Sequence, residues 1–339
     1  MDFDKLLKQA TDQVREAAAG VLQGVDALLP DDEPVGGTPA PVQRKVLAVI
    51  FNPRIQSAGG RKLSEALNWN NPDDLIPRHI ADLKECSYGY ANFQVVERVE
   101  VDRFPAKADG FVYDGDEFVK CFRQNAGFHQ PDMVDYHRIL ADFDVVNKVN
   151  RGAIDEVWLF AFPYAGFYES IMAGPGAFFC NAPALEGVAG AQRRFIIMGY
   201  NYQRGAGEML ENMGHRAESI VGHAYRFTRG DANLWERFTR YDKTHPGQAE
   251  VGIVHFAPNS QRDYDWGNKT KVMSRADTWL KFPDLSGEGR IMDCSDWGNG
   301  DLRAHHIWWF KRFPHITGSA NGVALNWWRY VIDPNTVRA

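Results

Sequence analysis

Between Gly205 and His223 the chain reads GAGEMLENMGHRAESIVGH, a stretch of helical spacing that carries three glutamates and two histidines. Stepped at ~100° per residue, Glu208, Glu211, His215 and Glu218 fall within roughly 80° of one another, because offsets of three, four and three track one helix face. Met209, Leu210, Met213, Ala217, Ile220, Val221 and Ala224 collect on the opposite side. The pattern predicts an amphipathic helix over 207–227 whose acidic side looks either into water or into a cleft. A solvated face is the plain reading. Glu208 suits the first turn, where the helix dipole favours an acid by about 0.3–1 kcal/mol, and Glu211 with His215 is an ordinary i,i+4 pair. Yet no lysine answers these acids; the nearby cations are Arg204, Arg216 and Arg226. The sharper reading is a divalent metal site, with zinc favoured. His215 and Glu218, three apart, can reach one ion from adjacent turns, and His255, ending the apolar run VGIVHF, is the best third ligand.

The order H-x-x-E followed by a histidine on a later strand resembles the ligand arrangement of zinc carboxypeptidases, without the Arg and Tyr signatures that accompany it there. Other residues could join such a site. Glu169, in PYAGFYES directly after the apolar run DEVWLFAF, suits a general base, or an acid if its aromatic neighbours raise its pKa. QRDYDWGN alternates Asp263 and Asp265 with Tyr264 and Trp266 in a loop after His255, fit for a calcium or sugar contact or for a plain turn. The pairs Trp308-Trp309 and Trp327-Trp328, read as strand residues, cannot both turn inward, which leaves Trp308 and Trp327 as candidate ligand platforms beside the alternative of core packing. No phosphate-binding loop, G-x-S-x-G elbow, H-E-x-x-H or dinucleotide fingerprint occurs. Cys180 has no basic partner nearby in sequence.

The elements that would position these residues alternate. RKVLAVIFNP, IDEVWLFAFPYAG, RRFIIMGYN and AEVGIVHFAPN are short apolar runs closed by Pro, Gly or Asn, and NFQVVERVEVDRF alternates like a half-exposed strand. PDMVDYHRILADFDVVNKVN has helical spacing. The expected fold is α/β, a mixed and largely parallel central sheet flanked by helices, with any ligand crevice beyond the carboxyl ends of the strands. Residues 1–29 form a separate amphipathic stripe that predicts a docking or loading helix, or one folded back on its own domain. Residues 30–43 are a Pro/Gly-rich linker, and 44–339 read as one domain with an aromatic-rich C-terminal portion.

Of 339 residues, 44% are hydrophobic and 24% charged, and the net charge of −6 leaves no basic field for nucleic acid. No run is long and apolar enough for a membrane span, and the acidic N-terminus is not a signal peptide, so a cytoplasmic protein, or one exported without a cleavable signal, is expected. The four cysteines are widely spaced, with no C-x-x-C pair. The favoured expectation is a hydrolase acting on a peptide, amide or glycan. In it His215, Glu218 and His255 hold the metal, Glu169 or Glu211 takes a proton, Arg204 or Arg216 binds an anionic group, and Glu208 with Asp263, Asp265 and the tryptophans contacts substrate. Two alternatives stand beside it: a metal-free glycosidase with two carboxylates, and a non-catalytic binding protein docked to a protein partner through residues 1–29.

Overall fold

The computed structural model describes residues 34–338, so the amphipathic stretch 1–29 lies outside the described residues. Of the linker, Gly36 and Gly37 exchange backbone hydrogen bonds of 3.1 and 3.2 Å with Thr317 before the first strand begins. That strand, β1 (Val42–Phe51), is joined by β2 (Ala91–Val101), β3 (Glu156–Ala161), β4 (Ser170–Ala173) and β5 (Phe195–Asn201). They form one sheet in the order β2-β1-β3-β5-β4. Pairing is parallel from β2 through β5, and only β4 runs antiparallel on its edge. The α/β expectation of a mixed, mostly parallel sheet flanked by helices therefore holds.

Burial explains the sequence of each strand. β3, EVWLFA, is buried at every position, as a strand covered on both faces must be, whereas edge strand β2 alternates. Helix α1 (Pro72–Cys86) leads into β2, with Pro72 in its first turn and the Asn71 side chain accepting from the Asp73 amide. The segment that opened the sequence reading is helix α2 (Ala206–Ala224), which follows β5. It packs on α1, on β4 and β5, on α3 (Leu302–Phe310) and on α4 (Trp327–Ile332). No helix among the described residues is long and apolar enough to cross a membrane.

Three expectations need correcting. The C-terminal tryptophan pairs sit on helices or helix starts, not strands. A helix wrapped by core can bury adjacent residues, and Trp308, Trp309, Trp327 and Trp328 are all buried. Trp327 stacks edge-on among Phe238, Phe313 and Trp235 and donates its indole N–H to Tyr225 at 3.1 Å; Trp308 lies under the Arg312 guanidinium. Neither is a ligand platform. AEVGIVHFAPN is not a strand, because the chain reverses at Gly252 (φ 92°), where a Cβ would stand 2.1 Å from the Phe256 carbonyl oxygen. Ile253 and Phe256 close the resulting turn as an isolated bridge. Finally, the helical stretch after residue 131 is two short helices, Tyr136–Asp142 and Val145–Asn150, separated at Asp144 with φ 51°.

Candidate metal centre and cleft

Helix α2 is covered on both sides. Met209, Leu210, Met213, Ala217, Ile220 and Val221 are buried as expected, and on the acidic side Glu211 and His215 are buried too. The cover over that side is the turn 253–256. Val254 seats against Gly214, where a Cβ would stand 2.6 Å from the valine Cγ2, and the Val254 amide donates to Glu218 Oε1 at 2.8 Å. His255 is thereby carried down onto the helix face.

Two imidazoles meet there. His215 Nε2 and His255 Nε2 are 3.0 Å apart, and His255 Nε2 is 2.9 Å from Glu211 Oε1. One ligand atom from each of Glu211, His215 and His255 lies within 4.8 Å of the other two. Each ring's other nitrogen is held by a carboxylate, His215 Nδ1 by Glu218 at 3.1 Å and His255 Nδ1 by Asp263 at 2.9 Å. An ionised carboxylate only accepts, so both Nδ1 atoms carry hydrogen. In neutral rings both Nε2 atoms then present lone pairs toward each other and toward Glu211, an arrangement that a positive group among them would relieve. When it is a proton, it sits on imidazole. Burial alone would lower the His215 pKa, but the hydrogen bond and charge of Glu218, with Glu169 and Glu211 adding theirs, lift it to about 9. His255 is raised in the same manner, against burial, by Glu211 and Asp263. Burial works to raise Glu211, and its bond to His255 with the charges of His255 and His215 outweighs that to hold it below the ordinary range.

Glu218 is thus not part of the converging triad; Glu211 takes the place expected for it. Lying three residues after His215, Glu218 reaches the back of the ring, and its second oxygen fixes the turn that bears His255. Glu169, just ahead of β4, brings Oε2 to 3.9 Å from His215 Nε2 and accepts from Asn181 at 2.7 Å. Asn181 in turn is tied to α2 through its backbone N–H and Ser219 Oγ. Nothing in FFCNAP marks Asn181 in advance.

Next to this cluster is a cleft of about 180 Å³. It opens where β3 and β5 end, lined by residues 162–167 after β3 and by Asn201, Arg204, Gly205 and Glu208 after β5. Glu169 belongs to both the cleft wall and the histidine cluster. Glu208 also accepts from the Gly205 amide at 3.0 Å, capping α2. Arg204 is exposed on the rim and forms no ion pair with the described residues.

Other expected site residues lie elsewhere. Arg216 is fully buried on the far side of α2, its guanidinium bidentate on Glu156 at 3.0 and 2.8 Å and bonded to the Val331 carbonyl, so it binds no ligand. Asp265 accepts from the Gln261 amide and the Asn268 side chain, the plain-turn alternative. Trp266 is buried against His305 and His306 and offers no platform. Those two histidines, adjacent on α3, are fully buried and kept neutral by that burial, with His306 lowered to about 4; they stand outside the three-ligand group. Cys180 is fully buried, and burial pushes its thiol up to about 11, so no thiolate is available.

In the sequence Tyr264 stands out only as an aromatic neighbour of Asp263 and Asp265, with no role of its own. It lies in the loop beside Asp263, half exposed, with its ring centroid 4.4 Å from that of His255 and its hydroxyl near the Glu211 carboxylate. Burial and the Glu211 and Asp263 charges raise its pKa, so the phenol keeps its proton. The chain matches no protein-family model, and no curated protein and no solved structure matches it.

Proposed function

We propose that the chain is a metal-dependent hydrolase, in which His215, His255 and Glu211 hold a zinc ion and the neighbouring cleft takes a peptide, amide or glycan substrate. The observation that carries this reading is the convergence of two imidazole Nε2 atoms and one carboxylate oxygen, each imidazole backed by a carboxylate on Nδ1. Nitrogens on one tetrahedral zinc stand about 3.3 Å apart, close to the spacing found here. Carboxylates behind both rings are the outer partners that fix tautomer and orientation in histidine metal sites. A bound zinc would supply a water of lowered pKa and polarise the bond under attack.

The chain's own residues divide the remaining tasks. Glu169, shared between the cleft and the cluster, is placed to take a proton from water. Arg204 meets an anionic group of the substrate at the rim, and Phe162, Tyr164 and Phe167 supply the apolar wall. Metal analysis of purified protein tests the reading. About one zinc per chain is expected, lost in His215→Ala and in Glu211→Gln, together with hydrolysis of a chromogenic peptide or glycoside library that chelation abolishes. Chelator-resistant glycoside cleavage lost in Glu169→Gln and Glu208→Gln would replace it with the two-carboxylate reading, since both acids line the cleft.

A further inference from the structure

The cluster is rich in groups that accept and poor in groups that donate. Glu169, Glu211, Glu218 and Asp263 surround two histidines whose Nδ1 hydrogens are already committed. Hydrolysis of an acyl or glycosyl bond generates negative charge on an oxygen, and that oxygen needs a donor beside the metal. Tyr264 is the neutral donor at hand. Its backbone sits in the left-handed region, φ 58°, an unusual place for a bulky residue and one that recurs where function holds a side chain in position. The loop that bears it is tied down on both flanks, by Asp263 on His255 and by Asp265 on Gln261 and Asn268. Between these ties the phenol leans over His255, remains 52% exposed, and keeps its hydroxyl near Glu211. It meets the cluster from the solvent-exposed side, with helix α2 beneath the histidines.

Building on the metal-hydrolase reading, we propose that Tyr264 is a catalytic residue of the centre, a phenol held over His255 beside Glu211 that turns its hydrogen bond onto the oxyanion of the reacting substrate. No proton leaves the phenol in this step; it donates a hydrogen bond, first to the carboxylate and then to the substrate oxygen. Glu211 can release it because the metal takes over the charge that the hydroxyl had been satisfying. The role differs from that of Asp263 and Glu218, which act through the histidines and never meet the substrate.

The test compares wild-type protein with Tyr264→Phe, both loaded with cobalt(II) in place of zinc, using phenylphosphonate as a stable tetrahedral oxyanion. The visible cobalt band reports metal affinity and probe binding separately. The expected result is metal affinity within about threefold of wild type and phenylphosphonate binding weakened tenfold or more. Equal phenylphosphonate affinity in the two proteins overturns the proposal, as does a wild-type centre that binds cobalt but not the probe. A Tyr264→Phe protein that loses cobalt instead also overturns it, because the hydroxyl would then be a prop for Glu211. If the wild type binds neither cobalt nor zinc, the metal reading itself has failed, a result distinct from the other three. Because Tyr264 is half exposed and the substitution keeps its ring, the variant retains the packing on His255 and Trp266.

Discussion

Helix α2 carries buried charge on two faces, and the two are built on opposite terms. On one, Arg216 meets Glu156 in a bidentate pair; Glu156 also accepts from the Trp158 indole at 2.7 Å, and the Arg216 Nε–H goes to the Val331 carbonyl. One positive and one negative group close on each other with their hydrogen bonds made. On the other face, one residue earlier in sequence, His215 joins His255 under four carboxylates. Burying charge is costly unless it is neutralised where it stands. The first face neutralises itself and is therefore a structural joint. The second is short of positive charge, which is what the proposed metal would supply. Burial and perturbed ionisation are common to both, and it is the local sum of charge that tells them apart.

The comparison can be broken most directly at its closed side. Arg216→Met should cost about 3–5 kcal/mol, because it strands Glu156 at 1% exposure, and urea denaturation should show it as a lower midpoint at unchanged slope. A double variant Arg216→Met, Glu156→Leu should recover much of the loss. A small effect from the single change would mean that the pair is not the joint described.

At the open side the sign reverses, since added cation should stabilise. Zinc at a hundredfold excess over its Kd should raise the unfolding free energy by about 2.7 kcal/mol, and the increment should vanish in His215→Ala. Thermal melts with and without zinc check this, and an equal rise in both proteins would remove the open face from the account.

Acid sharpens the contrast next. His79 packs on Trp158, its Nε2 3.0 Å from the Tyr200 hydroxyl, and burial with the nearby Arg216 charge lowers its pKa to about 3. The folded form thus keeps the ring neutral. Below about pH 6.5 the unfolded chain takes up a proton that the folded chain refuses, so stability falls as pH drops toward 3. The slope from this one group approaches 1.4 kcal/mol per pH unit at most. His79→Phe should show a shallower decline between pH 6.5 and 5 in denaturant titrations; an unchanged slope would assign the acid sensitivity elsewhere.

The smallest effects belong to the outer carboxylates. Glu218→Gln and Asp263→Asn should each weaken zinc about tenfold in competition with a chromogenic chelator, whereas Asp265→Asn should leave it within about twofold. Equal losses from Asp263 and Asp265 would indicate a general acidity of the loop rather than the specific bond to His255.

How much of this could be read in advance follows the same division. The acidic stripe of α2 was legible because helical periodicity alone sets Glu208, Glu211, His215 and Glu218 side by side, the strands β1, β3 and β5 were legible as apolar runs, and β2 was legible by its alternation. Which glutamate joins the histidines was not. Glu211 and Glu218 flank His215 by one turn each, and the choice depends on the ring's rotation and on the direction from which His255 arrives, a matter of tertiary contact. His255 itself was foreseen for the wrong reason, as a strand end, when a turn reversing at Gly252 delivers it. Strand β4 went unseen because four residues within a polar, glycine-rich stretch give too short a pattern. The tryptophan pairs misled because alternation was assumed, and a helix surrounded by aromatic rings obeys no alternation.

The seat of Val254 on Gly214 has a wider implication. A metal ion has bond lengths that tolerate little change, yet two of the groups available to it come from separate stretches of chain that only pack together. The distance between those stretches is gauged by a hydrogen atom where any other residue would have a methyl group. Gly214→Ala would act as a shim, lifting the turn from the helix, and a protein so altered would keep its fold and every candidate ligand yet bind the proposed ion more weakly.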